Sequence, residues 1–181
     1  MEVADFPNEL LRAAPALDKL ASAGLSKAAS ERFRRGFTCH RRTEPLPLPN
    51  DLDAFVFLMR AWDLSAVEIG MVRFLAVPVC GVAGSWCVGV VECDPLVVRG
   101  GTREVVVEER GIPHHVLWPV ARDSTALVGA MCLAALVLGR RATADIDWRD
   151  AIAAARHIEE CTDLAGGARY RAFYDMLLGV R

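Results

Sequence analysis

The chain has 181 residues, of which 53% are hydrophobic and 24% charged, with a formal net charge of −2 at pH 7. That length fits one domain, and the composition supports a sizeable core and excludes a disordered chain. The charge balance argues against a nucleic-acid binder, which carries a clustered basic excess. Met1 to Ala14 contains Asp5 and Glu9 and has no basic start followed by an apolar run, so no secretory pattern opens the chain. The longest apolar segment, Ala126 to Leu138, is about a third shorter than the ~20 residues of a spanning helix. A soluble cytoplasmic protein is expected, with neither membrane nor nucleic acid as partner. Its six cysteines are expected to be free thiols, buried as small hydrophobes.

The first third reads as helical. Phe6, Leu10, Leu11, Leu17 and Leu20 fall on roughly one face, with Pro15 as a break and Gly24 as a helix end. Ser26 suits the cap of a second helix, Lys27 to Arg35, that stops at Gly36. Arg32, Arg34, Arg35, Arg41 and Arg42 form the most basic stretch, around Phe33 and Phe37. Glu31 and Glu44 interrupt it, which favours a solvated helix face with two core aromatics over a phosphate-facing patch. The alternating prolines of Glu44 to Asn50 make a stiff surface connection. Leu52, Phe55, Val56, Met59 and Trp62 then repeat at helical spacing, capped by Asn50 or Asp51. Periodicity alone does not separate this helix from a buried strand over Ala54 to Met59.

The sheet is expected next. Met71 to Val77, Trp86 to Val91 and Arg103 to Glu109 are apolar or alternating runs. Cys80 to Ser85, Asp94-Pro95 and Gly100-Gly101 are the turn signals between them. Short strands so punctuated predict an antiparallel meander, with Val105 to Val107 covered on both faces. After the turn Gly111-Ile112-Pro113, His114 to Val120 reads as an edge strand, because Pro119 lacks a ladder donor.

Asp123 or Ser124 caps the apolar run Leu127 to Leu138, ended by Gly139-Arg140-Arg141. So little polar face predicts burial, with Leu127, Met131 and Leu136 on Val105 to Val107. Asp147 is expected to cap Trp148 to Cys161, with Trp148, Ile152, Ala155 and Ile158 as its stripe. Gly166-Gly167 breaks the chain before a last helix, Arg169 to Leu178.

No chemistry stands out. Cys80, Cys87 and Cys93 are spaced C-x6-C and C-x5-C, wider than structural zinc pairs, so no metal is expected. Cys39-His40 and His114-His115 are adjacent, and neighbours on a strand point to opposite faces. A Cys/His enzyme, with His157 or His114 as base, is the less favoured alternative. No Walker loop, dinucleotide fingerprint, zincin or nucleophile-elbow motif occurs. Neither a catalytic residue nor a cofactor is expected.

The order of parts resembles the SUKH superfamily, the fold shared by yeast cell-wall regulators, many bacterial immunity proteins and some large-DNA-virus proteins. Gly24-Leu25 matches a Gly-Leu that members often carry near the end of the first helices. Trp86 to Val91 and Arg103 to Val107 resemble the family's strand pair. Val116-Leu117-Trp118 leads into Arg122-Asp123-Ser124-Thr125 and the apolar helix, where members have Asn-Ser-Ser. Phe173-Tyr174 resembles a terminal Phe-Trp pair. Asp123 in place of Asn or Ser, the insertion Asp94 to Thr102 and the cysteine count depart from the family, and leave a viral or divergent member open.

The resemblance implies an α+β fold: a small mixed or antiparallel sheet packed by an apolar helix, with amino- and carboxy-terminal helices. It makes residues 1–181 one domain, with a helical part at 1–44, the sheet at 67–120 and helices over 123–181. It also implies a non-enzymatic immunity protein that binds and neutralises a protein toxin of nuclease or deaminase type. A viral protein of the same fold that binds a host factor is the alternative. The expected partner surface is the hairpin bearing Glu104, Glu108, Glu109, Arg110, His114 and His115, whose acids would complement a basic cleft and speed encounter.

Overall fold

The computed structural model describes residues 1–49, 52–147 and 149–179. Within them the fold is α+β: seven α-helices, a curled six-stranded antiparallel sheet and a two-stranded sheet. The expected caps at Asn50 or Asp51, and Trp148 of the predicted stripe, lie outside the described residues.

The amino-terminal helices are α1 (Phe6–Ala13), α2 (Leu17–Ser22) and α3 (Lys27–Arg35). Pro15 separates the first two, as read from the sequence. Their buried face is narrower than expected: Phe6, Leu10 and Leu20 are buried, whereas Leu11 is 58% and Leu17 38% exposed. Ser26 Oγ accepts from the Ala29 amide at 3.3 Å and caps α3. The ambiguous segment after the prolines is a helix, α4 (Ala54–Ala61), capped by Asp53 through the Phe55 amide at 2.9 Å. Phe6 ties α1 to it, its ring centroid 5.7 Å from that of Phe55 and 5.9 Å from that of Phe74.

The small sheet pairs β1 (His40–Arg41) with β2 (Trp62–Asp63). The main sheet is a meander of β3 (Glu68–Ile69), β4 (Val72–Cys80), β5 (Trp86–Val91), β6 (Asp94–Val98), β7 (Val105–Glu108) and β8 (Val116–Ala121), in that spatial order. The strand β6 corrects the reading of Asp94-Pro95 as a turn. The turn is Glu92-Cys93, with Glu92 at φ 57°, and Pro95 sits near a strand start, where its missing donor is tolerated. Irregular register in β4/β5, β5/β6 and β7/β8 bends the sheet. Val105, Val106 and Val107 are all buried, so β7 is covered on both faces. As Pro119 implied, β8 is an edge strand.

The apolar helix is α5 (Ser124–Ala142), capped by Asp123 through the Ala126 amide at 2.8 Å. Its 19 residues are long and apolar enough to cross a membrane by length and composition, but most of the helix is buried inside the fold. It packs mainly against α1 and α6 (Ala151–Ala165), and also meets α4, β3 and β8. Leu127 and Met131 are buried, but Leu136 is 38% exposed, a correction to its expected burial. Gly139 does not end the helix. A Cβ there would stand 3.2 Å from Ala13 O, so Gly139 instead lets α5 approach the end of α1 closely.

The α6 cap is Asp150, which accepts from the Ile152 and Ala153 amides, both at 3.0 Å, and not Asp147. Its buried stripe is Ala154, Ile158, Cys161 and Ala165, while Ile152 is 84% exposed. After Gly166 and Gly167, both at positive φ, α7 (Arg171–Leu177) buries Phe173, Tyr174 and Leu177. Tyr174 Oη donates to Val120 O at 3.2 Å, which fastens α7 to the edge strand β8.

Candidate functional site

The expected hairpin is divided between the two ends of β7. Glu108, Glu109, Arg110, His114 and His115 come together at its C-terminal end, in the turn toward β8. Glu108 is 8% exposed and points to cations and amides of its own chain. Its Oε1 is 3.3 Å from Arg99 Nη2, and its Oε2 accepts from the His114 amide at 3.2 Å. Arg99 Nη2 also donates to His114 O at 3.4 Å. Arg99 thus holds the turn, with His114 at φ 68°. Glu109 Oε2 lies 2.6 Å from His115 Nδ1, and the Arg110 amide donates to Asp94 Oδ1 at 3.0 Å. The rim offered to solvent is therefore Arg110, Ile112, His114 and His115.

Glu104 is at the other end of β7, away from the turn. Arg169 Nε donates to it at 2.7 Å and Tyr170 Oη at 3.3 Å. Burial, with the Glu104 carboxylate beside it, raises the Tyr170 phenol. Of the three acids expected to form a negative surface, Glu104 and Glu108 thus each face an arginine of this chain, and Glu109 faces His115. The basic stretch is divided too. Arg32, Arg34 and Arg35 are exposed and Phe37 is buried, while Arg42 turns inward. Arg42 Nε donates to Met59 O at 3.3 Å and its Nη2 to Ala76 O, bonding α4 to β4.

The six cysteines are free, but only Cys132 and Cys161 are buried as expected; Cys39 and Cys87 are half-buried, and Cys80 and Cys93 are exposed. Burial pushes Cys39 up to about 12, with the Asp63 carboxylate adding to it. Burial likewise pushes Cys132 and Cys161 up to about 12. Cys87 is raised by burial first and by the Glu108 carboxylate, against a lowering bond with Gly89. Among the described residues, no three His, Cys, Asp or Glu side chains converge as a metal site would need.

A surface that the sequence reading passed over lies beyond the Arg103 end of β7. It is an apolar groove of about 620 Å³ on the outer face of α4, floored by Ala54, Phe57, Leu58, Ala61 and Trp62. Phe57 is 52% exposed, on the face opposite the buried Phe55, Val56 and Met59. Glu2 and Arg103 are the lining residues with charged side chains, and Met1 also lines the groove. Arg103 also lines a smaller neighbouring cavity of about 150 Å³ with Asp53, Trp86, Arg99 and Gly100. Asp53 there accepts from the Phe55 amide and from Ser124 Oγ, and Arg99 is paired with Glu108.

The loop before β7 fixes Arg103. The Arg103 amide donates to Arg99 O at 2.8 Å, and the Arg99 amide to Glu104 O at 3.0 Å. Gly100 sits so near the 82–84 turn that a Cβ on it would come within 2.5 Å of Ala83 O. Only glycine allows that approach, and it leaves Arg103 in the left-handed region at φ 61°. The available signal was Phe57, an aromatic off the apolar stripe of its helix. No signal in the sequence marked Arg103.

Compared with known proteins, the chain matches no family model, no curated protein and no solved structure.

Proposed function

We propose that this chain is a cytoplasmic, non-catalytic binding module that neutralises a protein toxin of nuclease or deaminase type. Membership of the SUKH superfamily is part of the proposal. Its support is the order of elements: helices, an antiparallel sheet, an Asp123-capped apolar helix, and a final helix carrying Phe173-Tyr174.

The observation that carries the binding role is the uncovered groove on α4, with Phe57 half in solvent above an apolar floor. A concave apolar groove with a few charged groups at its edge is the usual form of a binding site, and aromatic and Arg anchors dominate the energetics of interfaces. Neutralisation without catalysis needs only a stable footprint, about 1,200–2,000 Å² in total, that covers the toxin's active site. The protonated thiols of Cys39, Cys132 and Cys161 disfavour the Cys/His enzyme as the alternative.

The test is co-expression with a nuclease or deaminase toxin domain, taken first from the adjacent reading frame where that frame encodes one. The expected result is a complex that survives gel filtration, together with protected growth. Unprotected cells and separate elution of the two chains would overturn the reading.

A further inference from the structure

The groove has an asymmetry that specifies its occupant. Arg103, at the junction of the two cavities, has no hydrogen-bond or ion-pair partner for its side chain among the described residues. Its neighbours are satisfied: Arg99 by Glu108, and Asp53 by the Phe55 amide and Ser124. An unpaired guanidinium beside an apolar floor is complementary to one kind of surface, an apolar side chain with a carboxylate next to it. The guanidinium fork matches a carboxylate in shape as well as charge.

Resting on the toxin-neutralising reading, we propose that the α4 groove receives an apolar segment of the partner protein that carries an Asp or Glu. The apolar side chains lie over Ala54, Phe57 and Trp62, and the carboxylate pairs with Arg103. Glu2, the lining residue with an acidic side chain, works against a bound anion.

Anilinonaphthalene sulfonate, an apolar anion, tests the site without the partner. The expected result is one bound probe per chain, excited by energy transfer from Trp62 and weakened as salt screens the Arg103 contact. Arg103→Glu should weaken the probe about tenfold, the size of a lost charge-assisted contact, and Arg103→Gln should do so by less. Phe57→Asp should abolish binding, and Glu2→Gln should tighten it. All four variants should keep the parent's thermal midpoint. A probe that ignores Arg103→Glu and salt overturns the anionic part of the proposal.

The co-expressed toxin domain is then added to the probe complex. Displacement of the probe, with Arg103→Glu weakening the toxin as it weakens the probe, supports the proposal. A toxin that is neutralised while the probe stays bound overturns the groove as the docking surface and leaves the neutralising role standing. A toxin that is neither bound nor neutralised overturns that role and the proposal with it.

Discussion

At the Glu108 end of β7, Arg99, Glu108 and His114 close on one another. At the Arg103 end, a cation stands without a partner beside half-exposed Phe57. The first arrangement fixes a turn. Its charges are already matched, so little of their field remains to steer another molecule. Both ends hold a residue in the left-handed region, His114 and Arg103, so backbone strain does not separate them. What separates them is that the second leaves a charge and apolar area unanswered within the chain. Charged residues close together in sequence are therefore a weaker pointer to a contact surface than one charge the fold leaves unanswered.

Several variants would break or sharpen this contrast. Glu108→Ala leaves Arg99 and the His114 amide without their acceptor, in a partly buried place. It should cost about 2–3 kcal/mol in urea unfolding. A loss under about 0.5 kcal/mol would mean that the Glu108 end is not structural, and the contrast would fail.

Arg103→Gly should act in the opposite direction. Glycine takes φ 61° without the Cβ conflict, so stability should rise by about 0.5–1 kcal/mol while the anionic probe binds more weakly, by less than with Arg103→Glu. A lower melting midpoint for this variant would show that the Arg103 side chain helps hold the loop.

Phe57→Ala and Glu109→Ala should each change stability by no more than about 0.5 kcal/mol. The first removes an exposed ring, the second an exposed pair with His115. Only Phe57→Ala should weaken the proposed toxin complex, as read by its dissociation rate.

The smallest effect concerns Cys87. The Glu108 carboxylate disfavours its thiolate, so Glu108→Gln should lower the thiol's pKa and raise the thiolate fraction at any pH below it. Alkylation at pH 8, followed by mass spectrometry, should label Cys87 faster in that variant, with Cys80 unchanged.

Much of the fold was legible in the sequence. The run Trp86 to Val91 is β5 residue for residue, Ser26 and Asp123 cap the helices assigned to them, and Pro119 marks the edge strand. Those signals act through neighbours a few residues away. Where two local signals conflicted, the reading failed. Asp94-Pro95 carries turn residues, but Leu96-Val97-Val98 behind it pairs on both sides as a central strand. The α6 stripe was misplaced in the same way, because an apolar residue such as Ile152 fits a helical period whether or not a neighbour covers it.

The candidate site lay beyond the sequence for a further reason. The run Glu104 to His115 does carry acids and histidines in proximity. Yet Arg169, which neutralises Glu104, is 65 positions away, and Arg99 reaches Glu108 across a loop and a strand. The exposure of Phe57 depends on what packs over one face of α4, and the isolation of Arg103 on which carboxylates come near it. The sequence by itself determined most of the helices and strands and the caps at Ser26 and Asp123, since each is settled within one or two turns of chain. Only the tertiary structure decided which charges are matched and which apolar face stays uncovered, because Coulomb pairing and burial are set by distance in space.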